Sequence, residues 1–308
     1  MRAQTDIVVD HLTKTFGSVT AVDDLSFSVR PGAVTGFLGP NGAGKTTTLR
    51  MLVGLIRPTS GSALIGGQRY TDLDRPAAKV GAALEASSFH PGRTGLDHLR
   101  VYAPQVGVSD ARCHELLEMV GIADAAKRRV GGYSMGMRQR LGLAHALLGD
   151  PDIIVLDEPA NGLDPQGIVW LRQLLRHFAA EGRTVLVSSH VLNEVQHTVD
   201  DVVIIAQGRL VHASPLQDLH RLAESRTRVA GPRADELQQF VTDQGWRSEA
   251  SAEGIDIIGV DAATVGSAAF AAGVELHQLT DAGVGLEDVF LRLTSSPDAP
   301  ASRGGAAA

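Results

Sequence analysis

Hydrophobic and polar residues alternate near the start of the chain in the pattern of half-buried strands. Leu25, Phe27 and Val29 share one face of such a strand, with serines on the opposite face. Two later segments, 34–38 and 153–156, are predominantly apolar. Short runs of this kind are typical of parallel strands that are buried on both faces. The pattern therefore predicts half-buried strands first and strands of a parallel sheet afterwards.

Helical spacing of apolar residues begins at about residue 95 and continues to residue 148. On either side of this helical block the pattern predicts further short elements. They are strands over 63–65 and 80–84, a helix over 165–181, a strand over 184–188, a helix over 191–199 and a strand over 202–206. This alternation predicts an α/β fold in which helices cover both faces of a parallel sheet.

Near residue 222 the pattern changes and predicts a second, smaller unit. Its predicted elements are a strand over 227–229, a helix over 234–244, strands over 246–248 and 255–258, a helix over 262–272, a strand over 274–279 and a helix over 286–293. The order β-α-β-β-α-β is that of a ferredoxin-like unit. We therefore expect one domain at 1–222, an α+β domain at 223–294, and a disordered tail at 295–308 that is rich in Ala, Ser, Gly and Pro.

Composition narrows the class of protein. The chain has 308 residues and a formal net charge of −7, which argues against a nucleic-acid binder, since phosphate contacts need clustered Lys and Arg. No apolar run approaches the roughly 20 residues that cross a bilayer, and no secretory signal is recognisable. Cys113 is the single cysteine, so intrachain disulfides and cysteine metal sites are excluded. We expect a soluble cytoplasmic protein.

A glycine-rich loop with the pattern G-x-x-x-x-G-K-[ST] directly follows the predicted strand 34–38. Strand, loop and helix are the context in which this pattern binds phosphate: glycines let backbone N–H groups turn toward the anion, and the next helix directs its positive end at it. We expect Lys45 to contact the β- and γ-phosphates and Thr46 to ligate Mg²⁺. The predicted ATP-binding residues of the loop are Gly39, Pro40, Asn41, Gly42, Ala43, Gly44, Lys45, Thr46 and Thr47.

Two acidic residues, Asp157 and Glu158, end the apolar run 153–156. The carboxyl end of a parallel strand lies at the crevice where such sheets hold ligands. We therefore expect Asp157 to support the Mg²⁺ shell and Glu158 to polarise the attacking water.

The segment between these two motifs carries a family resemblance. Ser134-x-Gly136, followed by Arg-Gln-Arg-Leu, resembles the signature loop of ATP-binding-cassette (ABC) ATPases. In that family two cassettes pair head to tail, and each signature loop covers the ATP held by the other cassette. The resemblance implies a P-loop NTPase fold with an antiparallel β subdomain and a helical subdomain, a homodimer, and action of Ser134 and Gly136 in trans. Ser134 also fits an ordinary helix N-cap, which is compatible with that role.

Three other positions match the family one by one. Asp164, in Asn-Gly-Leu-Asp-Pro, resembles the loop that contacts the partner cassette. His190, after an apolar strand, resembles the switch histidine that senses the γ-phosphate. Phe16 resembles the aromatic residue that stacks on adenine, and core packing is the alternative interpretation of this side chain.

Two departures from the family pattern stand out. Glu85 occupies the place where many members carry a glutamine that links the ATP site to the membrane subunit. A carboxylate there could approach Mg²⁺ through water, but it adds a charge and lacks donors. Met135 and Met137 stand where glycine and glutamine are usual in the signature loop. We expect function to be retained, and a regulatory ABC module with weak or no hydrolysis is the alternative.

The C-terminal part adds a second resemblance. Residues 285–294 resemble the end of the accessory region of ABC-2-type drug and antibiotic exporters, and Glu85 with the residues after it resembles the bacitracin and lantibiotic branch. Plain amphipathic packing also explains the last helix. The resemblance implies an ATPase on the cytoplasmic face of the membrane, peripheral to it, whose homodimer binds two ATP·Mg²⁺ and drives a separate ABC-2-type permease.

Other phosphate-loop proteins fit the sequence less well. A translation-linked ABC factor would need two sets of motifs, and this chain has one. A DNA-repair ABC ATPase would need a long coiled coil between the phosphate loop and the signature loop. A GTPase would need the base-reading motif Asn-Lys-x-Asp, which the sequence lacks.

Overall fold

The computed structural model describes residues 5–84, 89–222, 226–251, 253–281 and 286–295. The strands are β1 (Ile7–Phe16), β2 (Val19–Val29), β3 (Val34–Leu38), β4 (Ser60–Ile65), β5 (Val80–Ala83), β6 (Ile153–Leu156), β7 (Thr184–Ser189), β8 (Asp201–Ala206), β9 (Arg209–Pro215), β10 (Arg226–Ala230), β11 (Arg247–Ser251), β12 (Gly254–Ile258) and β13 (Gln278–Asp281). The helices are α1 (Lys45–Leu52), α2 (Pro76–Lys79), α3 (Gly95–Val106), α4 (Asp110–Met119), α5 (Met135–Ala146), α6 (Pro165–Ala180), α7 (Leu192–Val195), α8 (Leu216–Leu222), α9 (Ala234–Asp243), α10 (Ala262–Ala272) and α11 (Leu286–Ser295).

The chain divides into two compact units. The first unit spans the residues up to Leu216 together with those from Leu293, and the second unit spans Gln217–Arg292. The division lies at the start of α8, earlier than the boundary predicted after residue 222, because α8 groups with the second unit rather than with the strands that precede it. Within the described ranges, every helix is too short or too polar to cross a membrane.

A six-stranded sheet in the order β5-β6-β7-β3-β8-β9 forms the centre of the first unit. Its strands run parallel except β9, which pairs antiparallel with β8. Every residue of β3, β6 and β7 is buried, which explains their predominantly apolar sequences. Because neighbouring parallel strands end at the same edge, the residues that follow β3, β6 and β7 meet there. We call this the nucleotide edge. The predicted α/β fold is confirmed.

A second, antiparallel sheet and a block of helices complete the first unit. The small sheet has the order β2-β1-β4, and Phe27 on β2 stacks on Phe37 of β3 with ring centroids 5.2 Å apart. The helical block, α3 to α5, occupies the chain between β5 and β6. Thr94, Ser134 and Asp164 each cap the start of a helix by accepting a backbone N–H bond, so the first residues of α3, α5 and α6 are fixed by local sequence.

The second unit has the strand order β11-β12-β10-β13, and its neighbouring strands pair antiparallel. This order, with α9 and α10 as the connecting helices, is that of a ferredoxin-like arrangement. Val229, Val241 and Ile257 are fully buried in its core. Phe240 and Trp246 extend the core with an edge-to-face contact at 5.6 Å. The core is thus separate from that of the first unit.

Two sequence predictions about elements were wrong, and one strand was missed. The helix expected over 191–199 is the single turn α7, because the chain leaves the helix in a turn over 196–198, and the β-branched side chains of Thr198 and Val199 are poor helix formers. The strand expected over 274–279 is β13, which begins later. The strand β9 was not predicted at all, because its residues are only partly buried or exposed and show no clear alternation of apolar and polar positions.

Candidate functional site

The phosphate loop leaves β3 with the backbone geometry that an anion requires. Gly42 and Gly44 have φ angles of 82° and 101°, which residues with a Cβ rarely adopt. A Cβ on Gly44 would lie 2.5 Å from the carbonyl oxygen of Ala21, and one on Gly39 would lie 2.4 Å from that of Ile205. Both positions therefore exclude any other residue. A shallow pocket is lined by Ala21, Asn41, Gly42, Ala43, Gly44, Lys45, Thr46, Thr47 and Glu158.

Helix α1 begins directly at this loop. Its N-cap is Gly44, and no side chain caps the first turn, so N–H groups of that turn are open to a ligand. Uncapped amides and the positive end of the helix dipole favour phosphate. The backbone thus fits the phosphate chain of a nucleoside triphosphate.

Lys45 is the charged group of the loop and is almost fully buried, with 6% of its surface exposed. Its ammonium donates to the carbonyl oxygens of Gly39 at 2.6 Å and Pro40 at 3.3 Å, and it lies 3.4 Å from Oε1 of Glu158. A buried ammonium needs such partners because the low-polarity surroundings penalise an unpaired charge. Lys45 therefore holds a positive charge between the loop and the carboxylate of Glu158.

Thr46 and Asp157 present hard oxygen atoms side by side. The Thr46 hydroxyl donates to Oδ2 of Asp157 at 2.7 Å, and the Ser188 hydroxyl donates to the other oxygen, Oδ1. A hydroxyl and a carboxylate next to a phosphate site are the ligands that Mg²⁺ prefers, since it takes one or two protein oxygens together with phosphate and water. The donor set therefore fits Mg²⁺, which would supply charge neutralisation at the phosphates when bound.

Glu158 and His190 are brought together from two neighbouring strands. The Nδ1–H group of His190 donates to Oε2 of Glu158 at 2.8 Å, which leaves Nε2 as the ring nitrogen that a nucleotide can reach. Glu158 has a φ of 49°, a left-handed conformation that is uncommon for a residue with a side chain. Strained backbone of this kind is held in place at functional sites by the surrounding structure. The backbone of Glu158 is thus held in an uncommon conformation, and its carboxylate is held by His190.

The signature loop (residues 134–137) lies at the start of α5. The Ser134 hydroxyl accepts the N–H of Met137 at 3.2 Å, so Ser134 is the N-cap of this helix, and it is exposed. Asp164 is likewise an exposed N-cap, of α6, and accepts the N–H of Gly167 at 2.8 Å. The roles of Ser134, Gly136 and Asp164 toward a second copy stay predictions, since one chain carries only its own loops.

Two further predicted residues have different outcomes. Phe16 is 48% exposed at the end of β1, which rules out core packing and leaves its ring free to stack. The Lys14 ammonium lies 4.9 Å from the ring centroid. Glu85 falls outside the described residues, so its predicted approach to Mg²⁺ stays a prediction.

Sequence reasoning missed two residues of the site. Ser188 is fully buried, contacts Asp157, and accepts the backbone N–H of Glu158 at 2.9 Å. Gln139, on α5, donates to the backbone carbonyl of Glu158 at 3.3 Å. The signal for Ser188 was available, since a serine at the end of a buried apolar strand needs a polar partner. No local signal marks Gln139.

Comparisons with known proteins agree with this geometry. A family model described as ABC transporter matches residues 22–161, and a model described as a domain of unknown function (DUF8746) matches residues 225–287. The chain is 42% identical over 220 residues to the bacitracin transport ATP-binding protein BcrA of Bacillus licheniformis, with 70% of this chain and 72% of that protein covered. It is 37% identical over 203 residues to the lantibiotic transport ATP-binding protein SrtF of Streptococcus pyogenes, with 66% and 88% covered.

The fold has a counterpart among solved structures. The structure of an ATP-binding subunit of an ABC transporter superimposes with a TM-score of 0.64 and 29% sequence identity, over 70% of this chain and 92% of that one. Together with the phosphate loop, the acidic strand end and the contact of His190 with Glu158, these similarities leave one assignment. The chain belongs to the family of ABC transporter ATP-binding proteins and is an ATPase of the ATP-binding-cassette type.

Proposed function

We propose that this ATPase works as a homodimer that binds two ATP·Mg²⁺ and drives a separate export permease. The proposal rests on the observation that the predicted site residues lie in two separate places on the chain. One chain gathers one part of the site at its nucleotide edge: Glu158 contacts both Lys45 and His190, and Asp157 precedes it in the sequence. Ser134, in contrast, is exposed at a helix start, where an N–H group and a hydroxyl can serve a nucleotide held by a second copy.

Each residue then has a role in hydrolysis. The loop amides and Lys45 bind the phosphates, and Thr46 with Asp157 would hold Mg²⁺. Glu158 orients the attacking water and takes up its proton, while His190 fixes the carboxylate through Nδ1 and offers Nε2 to the γ-phosphate. Phe16 supplies an exposed ring for the adenine. The two signature loops close the dimer over the nucleotides.

A groove beside β5 is the surface that we propose for the permease. Leu84 and Phe89, which flank the segment containing Glu85, line it together with Tyr102 and Leu55. Leu55 is 70% exposed, and a large apolar side chain so open to water favours a partner protein. We expect a short segment of the membrane subunit with apolar and aromatic side chains to occupy this groove.

Peptide antibiotics are the cargo that we propose, because BcrA and SrtF are named for transport of bacitracin and of a lantibiotic. The test is the tolerance of a strain that lacks this gene toward bacitracin and toward a lantibiotic. We expect tolerance to fall and to be restored by the wild-type gene but not by Lys45→Ala. Equal tolerance in all strains would contradict export of these compounds and would leave the ATPase assignment untouched.

The same assay tests the groove. Leu55→Asp should fail to restore tolerance although the purified variant hydrolyses ATP normally, because the change lies outside the nucleotide edge. Val101→Asp, at a residue that is 44% exposed on α3, is the matched control and should restore tolerance. Full tolerance with Leu55→Asp would show that the permease docks elsewhere.

A further inference from the structure

Helix α5 connects the signature loop to Glu158, the proposed catalytic base, within one chain. The side-chain amide of Gln139 donates to the carbonyl oxygen of Glu158 at 3.3 Å. The same carbonyl accepts the backbone N–H of Asn161 at 3.2 Å. Gln139 is half-buried and lies close behind Ser134, which starts the helix. A side chain on the signature helix therefore holds the backbone of the residue that activates water.

The conformation of Glu158 explains why such a contact matters. A φ of 49° is unfavourable for glutamate, so neighbouring groups must hold the backbone there. From β7, the Ser188 hydroxyl accepts the N–H of Glu158 at 2.9 Å. From α5, Gln139 binds its carbonyl. The peptide groups on the two sides of Glu158 are thus fixed by different elements, and α5 is the one that also carries the signature loop.

A second contact joins the same two segments. Gly162, in the loop after Glu158, has a φ of 76°, and a Cβ there would lie 2.6 Å from Cγ of Met135. In turn, a Cβ on Gly136 would lie 2.8 Å from the carbonyl oxygen of Gly162. The first turn of α5 is therefore packed against this loop without a gap. The contact lies at the surface, where Met135 is 55% exposed, and the short distances limit how far the two segments can move independently.

We propose that Gln139 is a positioning residue that couples the signature loop to Glu158 of the same chain. The proposal rests on the homodimer described above, in which Ser134 serves the partner's nucleotide while Glu158 acts on the chain's own. A shift of α5 when Ser134 engages one nucleotide moves the carbonyl of Glu158 at the other. Gln139 thereby links the two ATP sites, and Met135 on Gly162 keeps the two segments together.

Gln139→Leu keeps the side-chain volume and the helix but removes the donor. In the homodimer we expect kcat to fall about tenfold, the scale set by losing one hydrogen bond. Binding of ATP to the single chain should not change, and the Hill coefficient for ATP should fall toward one because the sites are uncoupled. Gln105→Leu, at an exposed residue of α3, is the matched control. If Gln139→Leu lowers the melting temperature, Gln139→Met replaces it, because methionine also lacks the amide donor.

Mixed dimers separate positioning of Glu158 from damage to the signature loop. Two affinity tags isolate dimers with one Glu158→Gln chain, so that a single site hydrolyses ATP and single-turnover rates report on it. In the cis dimer, Gln139→Leu is in the chain with the intact Glu158; in the trans dimer, it is in the Glu158→Gln chain. The reference dimer pairs a wild-type chain with a Glu158→Gln chain.

The proposal predicts a rate about tenfold below the reference in the cis dimer and a rate close to the reference in the trans dimer. Loss only in the trans dimer, equal loss in both, or no loss in either would overturn it. A reference pair that forms no ATP-dependent dimer would instead overturn the homodimer, and with it the link between the sites.

Discussion

The two units treat their buried charges in opposite ways. In the first unit, Lys45 and Asp157 are 6% and 9% exposed, and they are gathered at the nucleotide edge around Glu158. In the second unit, Arg228 and Asp256 pair with each other across β10 and β12 through two bonds of 2.7 and 3.0 Å. The charges of the first unit converge on a site where a ligand can bind. The two charges of the second unit form an ion pair with each other.

Backbone conformation follows the same division. Glu158 keeps a left-handed φ of 49° and needs Ser188 and Gln139 to hold it. The charge pair of the second unit lies on regular antiparallel strands in register, Arg228 opposite Asp256. A strained backbone beside several converging charges therefore indicates a binding or catalytic site. A matched charge pair on regular strands indicates a contact that stabilises the fold. This contrast makes opposite predictions for substitutions in the two units.

The largest effect is expected at Glu158. Glu158→Gln keeps the shape of the side chain but cannot accept the proton of the attacking water, so kcat should fall about 1,000-fold, or about 4 kcal/mol in transition-state free energy. ATP should still bind and should accumulate a closed dimer, which gel filtration detects. Glu115→Gln, at an exposed position, is the control. Turnover at the wild-type rate would mean that another residue is the base.

A pH effect on stability is expected from the helical block. Burial, and then the nearby charges of His145 and Arg93, lower the pKa of His98 from 6.5 to about 4. The unfolded chain therefore binds more protons between these values, so the free energy of unfolding should fall as the pH drops from about 6.5 to about 4, by up to about 3 kcal/mol. Burial also lowers the pKa of His145, which adds to the same trend.

The measurement is urea unfolding of the whole chain at several pH values. His98→Phe should flatten the dependence, because phenylalanine fits beside Phe89 and Tyr102 without binding a proton. His114→Gln, at an exposed residue, should leave it unchanged. Identical pH profiles for His98→Phe and the wild type would contradict the assignment.

The smallest effect is expected in the second unit. Asp256→Asn weakens the two-bond pairing with Arg228 at a site that is 7% exposed, and should lower the free energy of unfolding by about 2 kcal/mol. The turnover of ATP by the folded protein should not change. Glu253→Gln removes an exposed partner of the same arginine and should have an effect below about 0.5 kcal/mol. Loss of turnover with Asp256→Asn would give the second unit a direct part in hydrolysis.

Local patterns made the nucleotide edge predictable. The glycines of the phosphate loop directly follow the buried strand β3, and the two acids directly follow the buried strand β6; neighbouring parallel strands end at one edge. The sequence could therefore anticipate that Lys45, Thr46 and Asp157 lie at one edge of the sheet, and their roles toward phosphate and Mg²⁺ stay predictions. The role predicted for His190 needed the family resemblance, because a single histidine after a strand does not by itself indicate one function.

Residues that act through the backbone were not predictable. Gln139 lies on an ordinary polar position of α5, and its contact with the carbonyl of Glu158 depends on how the helix packs on the strand end. A polar partner for a serine at the end of β7 could be expected, but two serines are adjacent there, and only the structure shows that Ser188 is the one that binds Asp157. The edge strand β9 was not predicted because none of its residues is fully buried, so its sequence carries no strong apolar pattern. These features depend on packing between elements rather than on the residues within one.

The sharing of each ATP site between two copies is the centre of this account, and complementation tests it most directly. Lys45→Ala and Ser134→Arg proteins should each be inactive alone. When they are mixed, one site of each mixed dimer combines an intact phosphate loop with an intact signature loop, so ATPase activity should return. A mixture of Lys45→Ala with Glu158→Gln leaves no intact site and should stay inactive. A mixture of Lys45→Ala and Ser134→Arg without activity would contradict the shared site.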